Sequence, residues 1–474
     1  MTVDDDDISS SLHEMGVTAG AGVRAVQLEV VLREGSRRSR RKTRRGQVAA
    51  TAGLVAAIAV VFFGPVPRLH LFNSGAGSSS TTLVPATTKP LRAAEIAVVR
   101  GGTLTVVNES TGRKVVLARG GVNKLGSDIN TPAFSPDGDW VSYLEQTGRG
   151  EVLHVIASTG GRATTVPGAA TYAWSPRRDL LAVSLLGSIE LLSPNGVLLH
   201  RWSLLPRGSA TWSGPPVFSP SGDEFAVAKF FASGESLLML PVDGGPAHTV
   251  VPYGRQLCQL PAGWTADGSR VLSWQDASCS ASIAADGLPL DAVPVTGGHP
   301  SVLEATLPYS SWVVPVSGSQ VIINSGGDRI VSDRKQLVSC DATATGSCRP
   351  LPLPAGVTSL DPALATGAKE LFEVRVPQSV RANTLSTQGT LWVGTLAGIH
   401  EKEVTAAGNG VAHPVPAQDG SSVTFVRIGS TGLATVRVLT VRTGAVRVLA
   451  PVDDHLDYGE FQASEVLAVW QPPT

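Results

Sequence analysis

Residues 131–144 read TPAFSPDGDWVSYL: an apolar segment, a turn, and a second segment in which Trp140, Ser142 and Leu144 alternate with Val141 and Tyr143. Pro136 presets φ, Asp137 can bond its own backbone and Gly138 tolerates positive φ, so the turn has a local mechanism. The phrase returns as YAWSPRRDLLAVSL at 172–185, PVFSPSGDEFAVAKF at 216–230 and AGWTADGSRVLSW at 262–274. The aromatic residue ahead of each turn is Phe134, Trp174, Phe218 or Trp264, at intervals of 40, 44 and 46 residues. Degenerate copies follow near Val313, Ala363, Val415 and Phe461. Behind most copies come two more short segments, such as EVLHVIAS then RATTV, or ATVRVLTV then AVRVLA. Four short strands per unit at a period of roughly 40–50 residues predict an all-β chain folded as a β-propeller. The recurring turn then joins the innermost strand of each blade to the second.

The two ends of this region fit together. Residues 95–118 (EIAVVRGGTLTVVNESTGRKVVLA) hold outer strands with no preceding turn phrase, whereas the C-terminal EFQASEVLAVW opens a unit and stops. One blade built from both termini closes the ring and leaves no open edge. Counting it gives about eight blades; the degenerate units at Val313 and Ala363 leave seven as the alternative.

Composition agrees with many strands joined by turns: 51 Gly and 32 Pro in 474 residues. A formal net charge of −1 argues against nucleic-acid binding, which needs a clustered basic surface on the folded part. The charge is uneven, however. Arg37, Arg38, Arg40, Arg41, Lys42, Arg44 and Arg45 form a dense basic run, and VAATAGLVAAIAVVFFGPV at 48–66 follows without a charge. That is just long enough for a membrane-spanning helix, and the basic flank orients its N-terminus towards the cytoplasm. The expected organisation is a cytoplasmic tail at 1–46, a transmembrane helix at 47–66, a Ser/Thr/Pro/Gly-rich stalk at 67–90 and an extracytoplasmic propeller at 91–474. The competing reading of the apolar span is a cleaved signal peptide. The tail is acidic at Asp4–Asp7 and reads as largely disordered; residues 23–34 (VRAVQLEVVLRE) form a short helix only with a partner or membrane surface.

Cys258, Cys279, Cys340 and Cys348 all fall outside the membrane, where an even number suggests disulfides. Cys340 and Cys348 bracket the hairpin between the outer strands of one blade, and Cys258 with Cys279 is the other pairing; buried free thiols are the alternative. No Cys-x2-Cys or neighbouring His points to metal. Gly-x-Ser-x-Gly, His-Glu-x2-His, Walker A and Rossmann patterns are absent, so no catalytic, cofactor or metal residue is assigned. His154 reads as a strand residue and Asp137 and Asp139 as turn formers.

FSPDGDWVSYL, FSPSGDEFAVAKF and WSPRRDLLAVSL resemble the WD40-like, or TolB-like, propeller repeats of bacterial envelope proteins, across residues 89–474. The tail, Arg-rich run and single span are similar to those of actinobacterial envelope proteins, some of which accompany sigma factors. The zinc signature of many anti-sigma factors is missing. The resemblance implies the propeller fold; the expected function is that of a monomeric propeller that binds or scaffolds an envelope protein, peptide or glycan. The alternatives are a regulator coupling an external signal to a cytoplasmic partner such as a sigma factor, and a hydrolase or lyase built on the propeller funnel. Loops held by the framework are the expected contact points, around residues 276–300 and 376–390. A phosphatase reporter that works only outside the cytoplasm is expected to be active when fused after Pro90. Recovery of a soluble secreted form beginning near residue 65 would identify a cleaved signal instead.

Overall fold

A computed structural model describes residues 93–472 except 124–125, 128, 205–211, 232–233, 255–257, 277–286, 327–334, 366, 368, 379–387, 397–400, 431–432, 454–455, 458–459 and 462–465. The expected tail, helix at 23–34, transmembrane helix and stalk lie outside the described residues; among those described, no helix is long and apolar enough to cross a membrane.

Eight antiparallel sheets of four strand positions follow one another along the chain. Seven run in sequence order. Blade two is Ile129–Phe134, Trp140–Thr147, Gly150–Ala157 and Thr164–Pro167, and blade eight is Val411–Pro416, Ser422–Ile428, Ala434–Thr440 and Ala445–Val452. The innermost position of blade four is split into Trp212–Ser213 and Val217–Phe218, both paired to the second strand. Blade one is the composite: Leu467–Trp470 pairs with Glu95–Arg100, followed outwards by Thr103–Asn108 and Lys114–Arg119. The count is therefore eight and not seven.

The composite differs from the sequence expectation in one respect. Phe461 does not end the last innermost strand; it lies in a small hairpin, Leu456–Asp457 with Glu460–Phe461. Trp470 takes that position, opposite Glu95 at the start of the second strand, just as Phe134 lies opposite Val141 and Trp174 opposite Leu181. The polar residues after Phe461 imitate the turn phrase, whereas the true counterpart of the turn is Gln471-Pro472, immediately after Trp470. The C-terminus supplies one strand, not two.

Second strands are buried on both faces, as at Val141–Leu144 or Leu181–Ser184, because each is covered by a blade on either side. They read as apolar runs. Outer strands alternate, as in Lys114–Arg119, because one face meets water. The core is accordingly a series of layers between blades. Ile96, Val98 and Leu104 pack with Val426 and Val436 across the closure; Leu153 and Val155 pack with Leu181 and Val183; Leu290 and Ala292 pack with Val321 and Ile323.

The recurring turns form a belt at one end of the ring. Trp470 donates from Nε1 to Pro136 O at 2.9 Å, and its ring lies over Gly138. Arg177 Nε reaches Pro220 O at 3.2 Å and Arg178 Nη2 reaches Asp223 Oδ1 at 2.6 Å. Asp267 N donates to Gly318 O at 3.2 Å, and Gly367 N to Gln418 O at 2.8 Å. The phrase thus closes its own hairpin and latches it to a neighbour. Trp470→Ala removes a side chain that is 6% exposed and is expected to lose about 3–5 kcal/mol in urea denaturation. Gly138→Ala should also destabilise, since its φ is +73° and a Cβ there would stand 2.5 Å from the indole.

Candidate functional site

Antiparallel succession places the first-to-second and third-to-fourth turns at the belt end and the second-to-third connections at the opposite end. In blades one to four these latter connections are two residues each: 101–102, 148–149, 186–187 and 232–233. In blades five, six and seven they are eleven, ten and twelve: 277–287, 326–335 and 378–389. The expected region 376–390 and the first part of 276–300 correspond to two of these connections, and blade six adds a third; the rest of 276–300 is the strand Leu288–Pro294 and a turn at the belt end. Residues 379–386, an expected contact segment, lie outside the described residues.

The strand ends beneath these connections carry the charged and aromatic residues of the inner ring. Asp361, in the innermost strand of blade seven (Val357–Ala365), accepts from Trp312 Nε1 at 3.2 Å and from the backbone N of His413 at 2.9 Å. One carboxylate therefore ties blade six to blade seven and blade seven to blade eight. His413 lies in the innermost strand of blade eight; burial pulls its imidazole below the ordinary value and the Asp361 charge opposes that. On the innermost strands, among the described residues, this is where a carboxylate and a histidine come together.

Asp361 and His413 share an uncommon backbone. Their φ angles are +48° and +49°, that of Thr131 is +50°, and each precedes a proline. Each sits at a register shift in its innermost strand. Left-handed φ on a non-glycine residue costs on the order of 1 kcal/mol or more, so surrounding bonds must hold it. Asp361 has the bonds just described, and the Thr131 carbonyl accepts from Tyr172 Oη of the next blade. The signal was in the sequence as Thr131-Pro132, Asp361-Pro362 and His413-Pro414, each at a similar distance before a turn, but only the bulges give the pattern meaning.

Behind Asp361 lies a buried ionic group. Arg375 is 4% exposed; its Nε bonds Glu373 Oε1 at 2.6 Å, its Nη2 bonds Glu401 Oε2 at 2.5 Å, and its guanidinium stacks 4.3 Å from the Trp392 ring centroid. Glu373 also accepts from Ser359 Oγ. Burial raises the Glu373 carboxyl, against the pull of Ser359 and Arg375. Such a group is strongly destabilised by loss of one member, which makes it a rigid foundation.

Cys340 and Cys348 are bonded, S–S 2.04 Å, across the hairpin between Gln336–Asp341 and Arg349–Pro350. Of the expected Cys258–Cys279 pair, Cys258 opens the strand Cys258–Trp264 and Cys279 lies outside the described residues. His154 stacks on Tyr143 at 4.8 Å and faces Glu145 Oε2 at 2.8 Å, on strands away from the channel. Asp137 Oδ1 accepts from Ser135 Oγ at 2.6 Å and Asp139 N at 2.8 Å, as a turn former should. Among the described residues, no group of three His, Cys, Asp or Glu is arranged for a metal ion. The sequence did not reveal that Asp137 shares a hydrogen bond with Asp179 of the next turn. Burial, that bond and the Asp137 charge push Asp179 up to about 6. Burial raises Asp137 too, but its own hydrogen bonds outweigh this and hold it low.

No family description and no curated protein matches the chain. Similar solved structures include prolyl oligopeptidase B from Galerina marginata, at 11% identity and TM-score 0.47, covering 70% of this chain and 52% of that one. A Mycobacterium tuberculosis puromycin-hydrolyzing peptidase is 16% identical, TM-score 0.45, covering 69% and 54%. A eukaryotic initiation factor is 12% identical, TM-score 0.48, covering 79% and 92%. The match thus spans only about half of the two peptidases. At these values none carries an argument about function, and the propeller rests on its own strand order.

The carboxyl pair generates a pH test. Asp179 binds its proton more tightly folded than unfolded, so the stability it contributes is full near pH 4 and is lost as pH rises through about 6. Asp179→Asn is expected to flatten melting temperature against pH in that window and to raise it at pH 7.

Proposed function

We propose that the chain is a membrane-anchored, extracytoplasmic propeller that binds or scaffolds an envelope protein, peptide or glycan at the end formed by blades five to seven. One observation carries the reading: the long second-to-third connections fall on three consecutive blades at one end, over a buried ionic foundation. Loops on a rigid framework are where recognition residues concentrate, because they vary without disturbing the core. The inner-ring carboxylate supports binding over turnover, since Asp361 is occupied by Trp312 and His413 and holds three blades together. The basic run and uncharged span ahead of the propeller support the membrane anchor.

The test uses purified residues 89–474 and panels of envelope peptides and glycans. Saturable binding with the ligand recovered chemically unchanged is expected. Replacing residues 378–389 by a two-residue turn, as in blades one to four, should weaken binding at least tenfold, about 1.4 kcal/mol, with melting unchanged. Robust hydrolysis or elimination abolished by His413→Ala would replace this reading with the funnel enzyme.

A further inference from the structure

Blade eight turns two arginines to the same side. Arg427, near the end of the second strand (Ser422–Ile428), pairs with Thr435 of the third (Ala434–Thr440), and Phe425 pairs with Arg437. Residues directly opposite in a ladder share a face, as do residues two apart on one strand. Arg427, Thr435 and Arg437 therefore stand on the face of Phe425, which shares a core layer with Phe372, Val374 and Val393 of blade seven. Both guanidiniums are fixed through Nε. Arg427 Nε donates to Asn409 O at 3.1 Å, and Arg437 Nε donates to Thr435 Oγ1 at 3.2 Å, which folds its head back along the face towards Arg427. Gly408, at φ +71°, leaves the Arg427 head its room: a Cβ there would stand 3.4 Å from both Cζ and Nη2.

Neither arginine has a carboxylate. Arg100, Arg178, Arg201 and Arg375 each form an ion pair, whereas Arg427 and Arg437 form none among the described residues. Glu401 is taken by Arg375, and Asp453 by the backbone N of Gly101. The outermost strand of blade seven, Lys402–Glu403, adds charge of the same sign: Lys402 pairs with Val393, on the face turned to blade eight. Burial and the Arg427 charge both pull the Arg437 guanidinium below its ordinary value. Neighbouring like charges without a counter-charge repel, and an anion set against both removes that cost.

We propose that the groove between blades seven and eight is a binding site for a dianionic phosphate group, held by Arg427 and Arg437. The Nε bonds set the planes of both guanidiniums and leave Nη1 and Nη2 of each for the ligand. The Thr435 hydroxyl accepts from Arg437 and keeps its own proton to donate. A carboxylate has one charge and two oxygens, enough for a single arginine fork. A phosphate group carries about two charges near pH 7 and presents three acceptor oxygens, which matches two forks at once. Lys402 adds to the attraction as a point charge. The groove lies beside the long connection of blade seven, since Val411, opposite Arg427, donates to Gly389 O at 3.0 Å. The phosphate site belongs to blade eight and is independent of the partner those connections hold.

The experiment is isothermal titration calorimetry on the full chain in mild detergent, in phosphate-free buffer at pH 7.5 and constant ionic strength. The titrants are inorganic phosphate, glucose 6-phosphate and acetate. Saturable binding of a phosphate, with acetate at least tenfold weaker, is expected; tighter binding of glucose 6-phosphate identifies an esterified ligand, and tighter binding of inorganic phosphate a free one. Arg427→Gln and Arg437→Gln should each weaken phosphate binding at least tenfold. Arg442→Gln, on an exposed turn of the same blade, should leave it unchanged. Wild-type protein that binds neither phosphate saturably overturns the proposal, as does acetate bound as tightly as phosphate. Affinity unchanged in either of the first two variants, or an equal loss in Arg442→Gln, overturns it as well. The wild-type titration decides the point even if a variant fails to fold.

Discussion

An open β-sheet edge presents a row of unpaired donors and acceptors, and this ring avoids one only because Leu467–Trp470 pairs with Glu95–Arg100. Four residues on one side therefore complete a sheet whose other three strands begin the propeller. The contact is reinforced beyond its ladder. Trp470 caps the turn of blade two, Arg100 Nη1 bonds Val452 O of blade eight at 2.8 Å, and Asp453 N bonds Val99 O at 3.1 Å. Each inter-blade layer is covered on both sides only when the ring is closed, so the buried second strands all depend on this junction.

The two ends of the ring are built differently. At the belt end, short turns with fixed backbone requirements bond to each other, so a longer turn there would break a latch. At the opposite end, the connections of blades five to seven are long, and the inner strands beneath are braced by Asp361 and the Glu373–Arg375–Glu401 group. Buried ion pairs contribute little net stability against apolar packing, but they fix geometry because no alternative arrangement satisfies the charges. Rigidity under long connections suits recognition.

Much of the fold was legible in the chain. The phrase ending in Phe134, Trp174, Phe218 and Trp264 specified the hairpin, its period specified a propeller, and the incomplete ends specified a shared blade, because each depends on local turn chemistry and apolar spacing. The pairing of Cys340 with Cys348 was legible too, since both lie on one hairpin. Which aromatic closes the ring was not. Phe461 and Trp470 look alike in the sequence, and only register against Glu95 separates them. Nor could spacing show that Asp361 meets Trp312 and His413, because these partners stand on different blades. Local sequence determined the repeating unit; the tertiary structure decided which residues of different units meet, because contacts across blades depend on ring closure and strand register, and neither is a property of any one segment.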